Sequence, residues 1–186
     1  MKMMKFMFIA LLGLSLVTAL PSCKKDKDDA TCTDGVQNGN ETGVDCGGDC
    51  AACEVGVQGK WWSKGADVAP LLVSLFAIDS IYAEFNTNLT YTVTSYSAGV
   101  GSNLTGVYTQ SGPGVNGIWN ITLNQSSPSA LTSVGIFKVD GTNMQYEVVQ
   151  TEPAIGAVPP TAALGFGSTN GGALGTINIQ KYVKVN

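Results

Sequence analysis

The stretch that decides the fold is TSVGIFKVDGTNMQYEVVQT, residues 132–151. Apolar side chains alternate along both of its halves, and this period of two is typical of strands that bury one face. One strand is predicted over residues 132–139 and a second over residues 144–151. Asp140-Gly141 between them is a strong signal of a tight hairpin. The stretch therefore predicts two antiparallel strands that are neighbours in a sheet.

The same alternation recurs along most of the chain after residue 58. It predicts further strands at residues 60–62, 81–85, 91–95, 104–111, 118–124 and 176–185. About eight strands with mostly short connections favour an all-β fold, either an up-and-down barrel or a two-sheet sandwich, and we predict the barrel. Residues 70–78 are rich in leucine. They are expected to form a helical turn or two, or an irregular strand, that plugs the sheet.

The N-terminus has the three parts of a secretory signal peptide. Lys2 and Lys5 precede an apolar run that is shorter than the roughly 20 residues of a spanning helix. The run ends at Leu20-Pro21-Ser22-Cys23, which resembles a bacterial lipobox, although Pro21 departs mildly from the usual pattern. The resemblance implies that Cys23 becomes the mature N-terminus and carries acyl chains such as palmitate, anchored in the outer membrane. A soluble secreted protein with an incidental cysteine is the alternative.

The charges that follow Cys23 bear on location and on partners. The run Lys24-Lys25-Asp26-Lys27-Asp28-Asp29 resembles the signals that send lipoproteins of Bacteroidota-like bacteria to the cell surface; it also suits a solvated spacer. The chain has a net charge of −4 and neither histidine nor arginine. Nucleic-acid binding requires a basic surface, so it is not expected. The predicted divisions are a signal peptide (1–22), a charged tether (23–31), a cysteine-rich module (32–53), a linker (54–58) and a β domain (59–186).

Four of the five cysteines lie in the small module. Its other residues are mostly turn formers with little to bury, so crosslinks are expected to hold it. In an exported segment an even number of cysteines indicates disulfides, and the three possible pairings stay open. Zinc held by four thiolates is the less favoured alternative. The residues concerned are Cys32, Cys46, Cys50 and Cys53. The module resembles a short motif of bacterial surface proteins.

Oxygen-bearing side chains also crowd this module. The spacing from Asn38 to Gly43 loosely echoes a calcium loop, but no glutamate stands at the closing position. A solvated turn is the favoured interpretation, with calcium as the weaker alternative. The candidate ligands are Asp34, Asn38, Asn40 and Asp45.

The β domain resembles the lipocalin-like domains of bacterial lipoproteins. Gly59-Lys60-Trp61 is similar to the Gly-x-Trp opening of lipocalins, and the closing residues 180–185 fit their last strand. Lipocalins usually pack an arginine from the last strand across this tryptophan, and this chain has no arginine. Lys181 or Lys184 is expected in its place, with poorer stacking.

The resemblance implies a binding module for a small apolar or amphipathic ligand. The expected contacts are Trp61, Trp119, Phe137, Tyr146 and Phe166. A solid barrel that works through protein partners at the surface is the alternative, since eight strands enclose a space that side chains can fill. No enzymatic activity and no cofactor are expected, because histidine and arginine are absent and the module uses the cysteines. Glu84 and Glu147 are interpreted as outward-facing strand residues.

Residues 152–175 form a long segment with almost no charge. We predict that it lies against the barrel over one open end and buries Ile155, Leu164 and Phe166. If a ligand is bound, this segment is the expected lid.

Overall fold

A computed structural model describes residues 32–41, 46–50 and 56–185, the side chain of Val115 excepted. The signal peptide, Cys23 and the charged tether lie outside these residues. Within residues 56–185 eight antiparallel strands form one closed barrel. They are β1 (Gly59–Lys64), β2 (Ser80–Phe85), β3 (Thr90–Ser97), β4 (Val100–Ser111), β5 (Trp119–Ser127), β6 (Leu131–Asp140), β7 (Asn143–Glu152) and β8 (Gln180–Val185).

Each strand pairs with the next one along the chain, and β1 pairs with β8 to close the barrel. This is the predicted up-and-down arrangement, and the prediction is confirmed. The hairpin between β6 and β7 turns at Gly141, which has a φ of 59°. Gly135 is required where β6 meets β7, since a Cβ there would lie 2.0 Å from the carbonyl oxygen of Glu147.

The leucine-rich segment forms one short helix, α1 (Pro70–Phe76), with proline in its first turn. The predicted plug is only partly correct. Val68 and Ala69, just before the helix, are the residues that are buried, and Leu72 packs against the core. Leu75 and Phe76 are exposed on the helix. The helix is too short to bury more than one face, so most of its apolar side chains remain in solvent.

The side chain of Gln180 fixes this plug to the barrel. Its Oε1 accepts a hydrogen bond from the amide of Ala69 at 2.9 Å, and its Nε2 donates to the hydroxyl of Ser63 and to the carbonyl of Asp67. Gln180 and Ser63 are both buried. The polar groups at this end of the barrel therefore bond to one another and close it.

The predicted linker (54–58) needs a correction. Val57 is fully buried in the barrel core, and its amide donates to Oε1 of Gln110 at 2.9 Å. Gly56 is also buried against the side chain of Gln110. Val57 therefore packs with the barrel, although residues 54–58 were predicted to be a linker.

The connection from β7 to β8, residues 153–179, is here called the strap. It lies against the barrel as predicted: Gly167 and Thr169 bond to the outward Glu147 of β7, and its last turn, Gly175–Asn178, contacts α1. Ile155 and Leu164 are 64% and 71% exposed, and Phe166 is half-buried. Their predicted burial is wrong, because hydrogen bonds to a buried carboxylate, described below, hold the strap instead. No helix in the described part of the chain is long and apolar enough to cross a membrane.

Candidate functional site

The cysteine-rich module contains the disulfide Cys32–Cys50, whose Cα atoms are 5.5 Å apart. Cys46 is also disulfide-bonded, and Cys53 lies outside the described residues. The disulfide prediction is confirmed for this pair. Cys32, Glu41 and Cys50 bring possible metal-binding atoms within 4.8 Å of one another. Since the two sulfurs are bonded to each other, neither is the thiolate that zinc requires.

The candidate calcium ligands in the module are largely occupied by one another. Asp34 accepts hydrogen bonds from the amide of Val36 and from Nδ2 of Asn38, at 2.9 and 3.0 Å. Asn40 bonds both the amide and the carboxylate of Asp49. These contacts are typical of a self-bonded turn. Asp45 lies outside the described residues, so calcium stays the weaker, untested alternative to the solvated turn.

Trp61 lies inside the barrel and is fully buried. Its Nε1 donates to the carbonyl of Val57 at 2.7 Å, and Nζ of Lys184 lies 5.6 Å from the centre of its ring. Lys184 therefore takes the position expected of one of the two lysines. The ring joins the last strand, the first strand and residues 56–58, which makes it a structural residue.

Three more of the predicted ligand contacts also pack against the barrel's own side chains. Trp119 stacks on the fully buried Phe137 with ring centres 5.8 Å apart. Tyr146 meets Tyr182 edge-on at 6.0 Å. Phe166 is separate from them, on the strap. The structure thus brings four of the five predicted residues into the interior.

An aromatic layer crosses the interior. Phe85 on β2 lies 5.3 Å from Tyr108 on β4 and 6.4 Å from Tyr146 on β7, measured between ring centres. Rings from distant walls thus meet inside the barrel. The members of this layer are Phe85, Tyr91, Tyr108, Tyr146 and Tyr182.

Burial shifts the acidity of the tyrosines in this layer. It raises the pKa of Tyr91 to about 12 and also raises the pKa of Tyr182. The pKa of Tyr146 is raised well above its ordinary value, first by burial and then by the neighbouring phenols of Tyr182 and Tyr91. A phenolate is poorly solvated in such a place, so these hydroxyls are neutral at physiological pH. The layer offers neither a general base nor an anionic group.

Glu147 faces outward from β7, as predicted, yet it is fully buried. Its carboxylate accepts hydrogen bonds from the amide of Gly167 at 2.6 Å, the amide of Thr169 at 3.2 Å and the hydroxyl of Thr169 at 2.5 Å. Ile136, its register partner on β6, is also fully buried without belonging to the inner core. The strap covers this part of the outer wall, and Glu147 holds it there.

A groove of about 440 Å³ is lined mainly by outward residues of β6, β7 and β8, and the core residues Met144 and Tyr182 also line it. Lys138, Gln145 and Lys181 are consecutive register partners across it. Asp140 and Asp67 also line it, so the charges of its lining cancel. Met144, Tyr182 and Val183 share the lining with these charges, and the lining residues do not form the arrangement of an acid, a base and a nucleophile that catalysis needs.

An aromatic cluster on the outside of the barrel was not predicted from the sequence. Trp62 lies 5.3 Å from Tyr82 and 6.0 Å from Tyr96, measured between ring centres, and Nζ of Lys64 lies 4.5 Å above its ring. The three rings are half-buried. Alternation was the available signal: if Trp61 faces inward, then Trp62 must face outward.

No protein-family model, no curated protein and no solved structure matches this chain.

Proposed function

We propose that the chain is a non-enzymatic lipoprotein, anchored in the outer membrane through acylated Cys23 and displayed on the cell surface. Its solid barrel works through contacts of its outer surface with partners. The lipobox-like residues before Cys23 and the mixed-charge run after it support the location. The packed interior supports the mode of action, and it is the observation that carries the proposal.

The interior leaves little room for an apolar ligand. Phe85 and Tyr146 approach within 6.4 Å across the barrel, and Trp61, Tyr108 and Phe137 are at most 1% exposed. Sites for drug-sized ligands usually have volumes of roughly 300–1,000 Å³. A groove of that size is lined mainly by outward residues of β6–β8.

The interior is tested by offering ligands to the full chain. Native mass spectrometry and thermal unfolding with palmitate and with benzene are expected to show no complex with the wild type. Phe85→Ala is the matched positive control, because removing this ring opens an apolar cavity of a kind that binds such probes. A one-to-one palmitate complex of the wild type would instead support the lipocalin-like binding module.

The anchor is tested separately. Wild-type protein from the membrane fraction should carry acyl chains on Cys23 by mass spectrometry, and Cys23→Ser should abolish both the acylation and the membrane retention. Protease added to intact cells should remove the wild-type protein if it is displayed outside. A membrane-bound wild type with no acyl mass would refute the anchor.

A further inference from the structure

Four large apolar side chains are exposed at the end of the barrel that carries α1. Val73, Leu75 and Phe76 lie on the helix, and Ile177 lies on the turn Gly175–Asn178, which contacts it. Each of the four is between 42% and 64% exposed. They are here called the apolar tip. Exposed apolar surface of this kind often marks a contact with another protein or with a membrane.

The helix has no polar face to turn toward water. It contains no charged residue, and its one polar side chain, that of Ser74, donates a hydrogen bond to the carbonyl of Leu71 at 3.1 Å. A helix that is apolar on every side is normally buried. Leu72 is the helix residue that packs against the barrel core. The rest of the helix surface stays uncovered by the residues that the structure describes.

The uncharged surface continues beside the helix. No residue from Pro153 to Ile179 carries a charge, and this segment includes the turn that contacts α1. The charged residues nearest in the chain to the helix and to this turn are Lys64, Asp67, Asp79, Glu152 and Lys181. Their charges nearly cancel, so long-range electrostatics does not select the partner of the tip.

Amphipathic side chains stand beside the tip. Lys64 ends β1 just before the residues that lead to α1, and its Nζ lies 4.5 Å from the centre of the Trp62 ring. Tyr96 stacks on Trp62, and its carbonyl accepts a hydrogen bond from the amide of Asp79, shortly after the helix, at 2.9 Å. Tryptophan, tyrosine and lysine each join an apolar body to a polar end, which suits the headgroup layer of a membrane.

We propose that the apolar tip inserts into the lipid surface of the membrane that holds acylated Cys23. Its four side chains enter the boundary between headgroups and acyl chains to a depth of roughly 5–10 Å. Trp62, Tyr96 and Lys64 then lie among the headgroups. This inference rests on the proposed function and names one partner of the barrel's outer surface, the bilayer itself. The barrel stands on its α1 end, and the end where β1 begins faces away from the membrane.

The chain between Cys23 and the barrel is long enough for this orientation. The shortest covalent path runs nine residues to Cys32, crosses the disulfide over 5.5 Å between Cα atoms, and continues six residues from Cys50 to Gly56. At about 3.3 Å per extended residue, this path reaches at most roughly 55 Å. β1 has six residues and covers about 20 Å from the entry of the chain to the helix end. The acyl chains and the tip can therefore reach the same bilayer.

A membrane fits the tip better than a second protein does. A stable protein interface buries about 800 Å² on each partner. Four partly exposed side chains on a short helix and one turn offer much less than that. A bilayer that already holds the acyl chains needs no such area, because the anchor keeps the tip at a high local concentration.

Brominated lipids provide the test, because bromine quenches tryptophan only at short range. The acylated full chain with Phe76→Trp is reconstituted into phosphatidylcholine vesicles that carry bromine near the headgroup end of the acyl chains. Vesicles without bromine are the reference, and the wild-type emission is subtracted. Val107→Trp is the matched control, because Val107 is also exposed but pairs with Thr90 at the other end of the barrel.

The tryptophan at position 76 should be quenched at least twofold more strongly than the one at position 107. Added salt should leave this difference unchanged, since salt screens charges and not apolar burial. Adding Leu75→Glu to Phe76→Trp should reduce the quenching to that of the control, because a carboxylate is costly to bury in lipid. Thermal unfolding checks that each variant is folded, which is expected because both helix positions are exposed.

Each negative result has a separate meaning. If the acylated protein stays on the vesicles but position 76 is quenched no more than position 107, the membrane inference is wrong and the proposed function stands. A dimer in detergent that is lost in Leu75→Glu would also overturn the inference, because a second copy would then cover the tip. If the protein carries no acyl chain and leaves the vesicles, the proposed anchor fails and this inference fails with it.

Discussion

Trp61 and Trp62 are neighbours in the chain, yet the two faces of β1 use them differently. Trp61 lies inside with its N–H bonded to Val57, its ring beside Lys184 and no exposed surface. Trp62 lies outside, half-buried, with its N–H buried and unpartnered among the described residues. The inner ring has all its partners within the chain, whereas the outer ring lacks one. The two faces of β1 therefore differ in whether the indole N–H has a hydrogen-bond partner.

The largest expected effect is the contrast between the two tryptophans. Trp61→Ala should lower the free energy of unfolding by about 3–5 kcal/mol, because it leaves a cavity in the core. Trp62→Ala should cost less than half as much, since its ring is partly in solvent and its N–H has no bond to lose. Urea unfolding at neutral pH measures both. Equal losses would contradict the contrast.

Alkaline pH should weaken the inner face. Tyrosine ionises near pH 10 in an unfolded chain, and burial raises the pKa of Tyr91 to about 12 and that of Tyr182 also. The folded state then holds these protons more tightly. The raised tyrosine pKa values therefore contribute fully to the free energy of unfolding below about pH 10. This contribution is lost as pH rises toward the folded-state pKa values.

Urea unfolding from pH 8 to pH 12 checks this expectation. The wild type should lose stability above about pH 10, and Tyr182→Phe should lose less over the same range. Below pH 10 tyrosine ionisation should not change the free energy of unfolding of either protein. A flat profile for the wild type through pH 12 would refute the shift.

The covered part of the outer wall should be more sensitive than the rest. Gly167 donates to one carboxylate oxygen of Glu147 and Thr169 to the other, so Glu147→Gln leaves one of the two amides without its acceptor, which should cost about 1–3 kcal/mol. Proteolysis within the strap should become faster. Glu84→Gln is the matched control, because Glu84 is also an outward residue but is partly exposed. Similar losses in the two variants would show that the carboxylate does not hold the strap.

The smallest effect concerns the two lysines that lie over the tryptophans. Lys184→Met should cost about 0.5–1 kcal/mol, since the cation beside the buried ring of Trp61 is lost while the aliphatic stem is kept. Lys64→Met should change stability by about 0.5 kcal/mol or less, because Lys64 is exposed. Thermal unfolding of both variants measures the difference. A larger loss of stability in Lys64→Met than in Lys184→Met would contradict this order.

Local patterns were sufficient to predict the barrel. Alternation located the strands, Asp140-Gly141 located a hairpin, and the absence of arginine directed attention to Lys184. Glu147 shows where such patterns fail. Its outward direction followed from its position in β7, but its burial depends on the strap, whose bonding residues come 20 and 22 positions later. Contacts between distant segments leave no periodic signal in the sequence.

The same limit applies to the ends of the barrel. Val57 looked like part of a linker, because nothing in its neighbours indicates that Gln110 and Trp61 hold it. The leucine-rich helix was expected to be the plug, whereas Val68 and Ala69 are buried and Gln180 holds them. The outer rings could have been found, since the parity that turns Ile81 and Ala83 inward turns Tyr82 outward.

The pairing of Lys60 with Val185 has a consequence for how this domain folds. Every other strand pair joins neighbours in the chain and can form as a local hairpin or through one connection. The β1–β8 pair joins the two ends of the domain, so its loop-closure entropy is the largest and its formation is expected last. Until then both strands are unpaired edges, open to pairing with a second chain. The final step of folding is therefore also the step most exposed to domain swapping and aggregation.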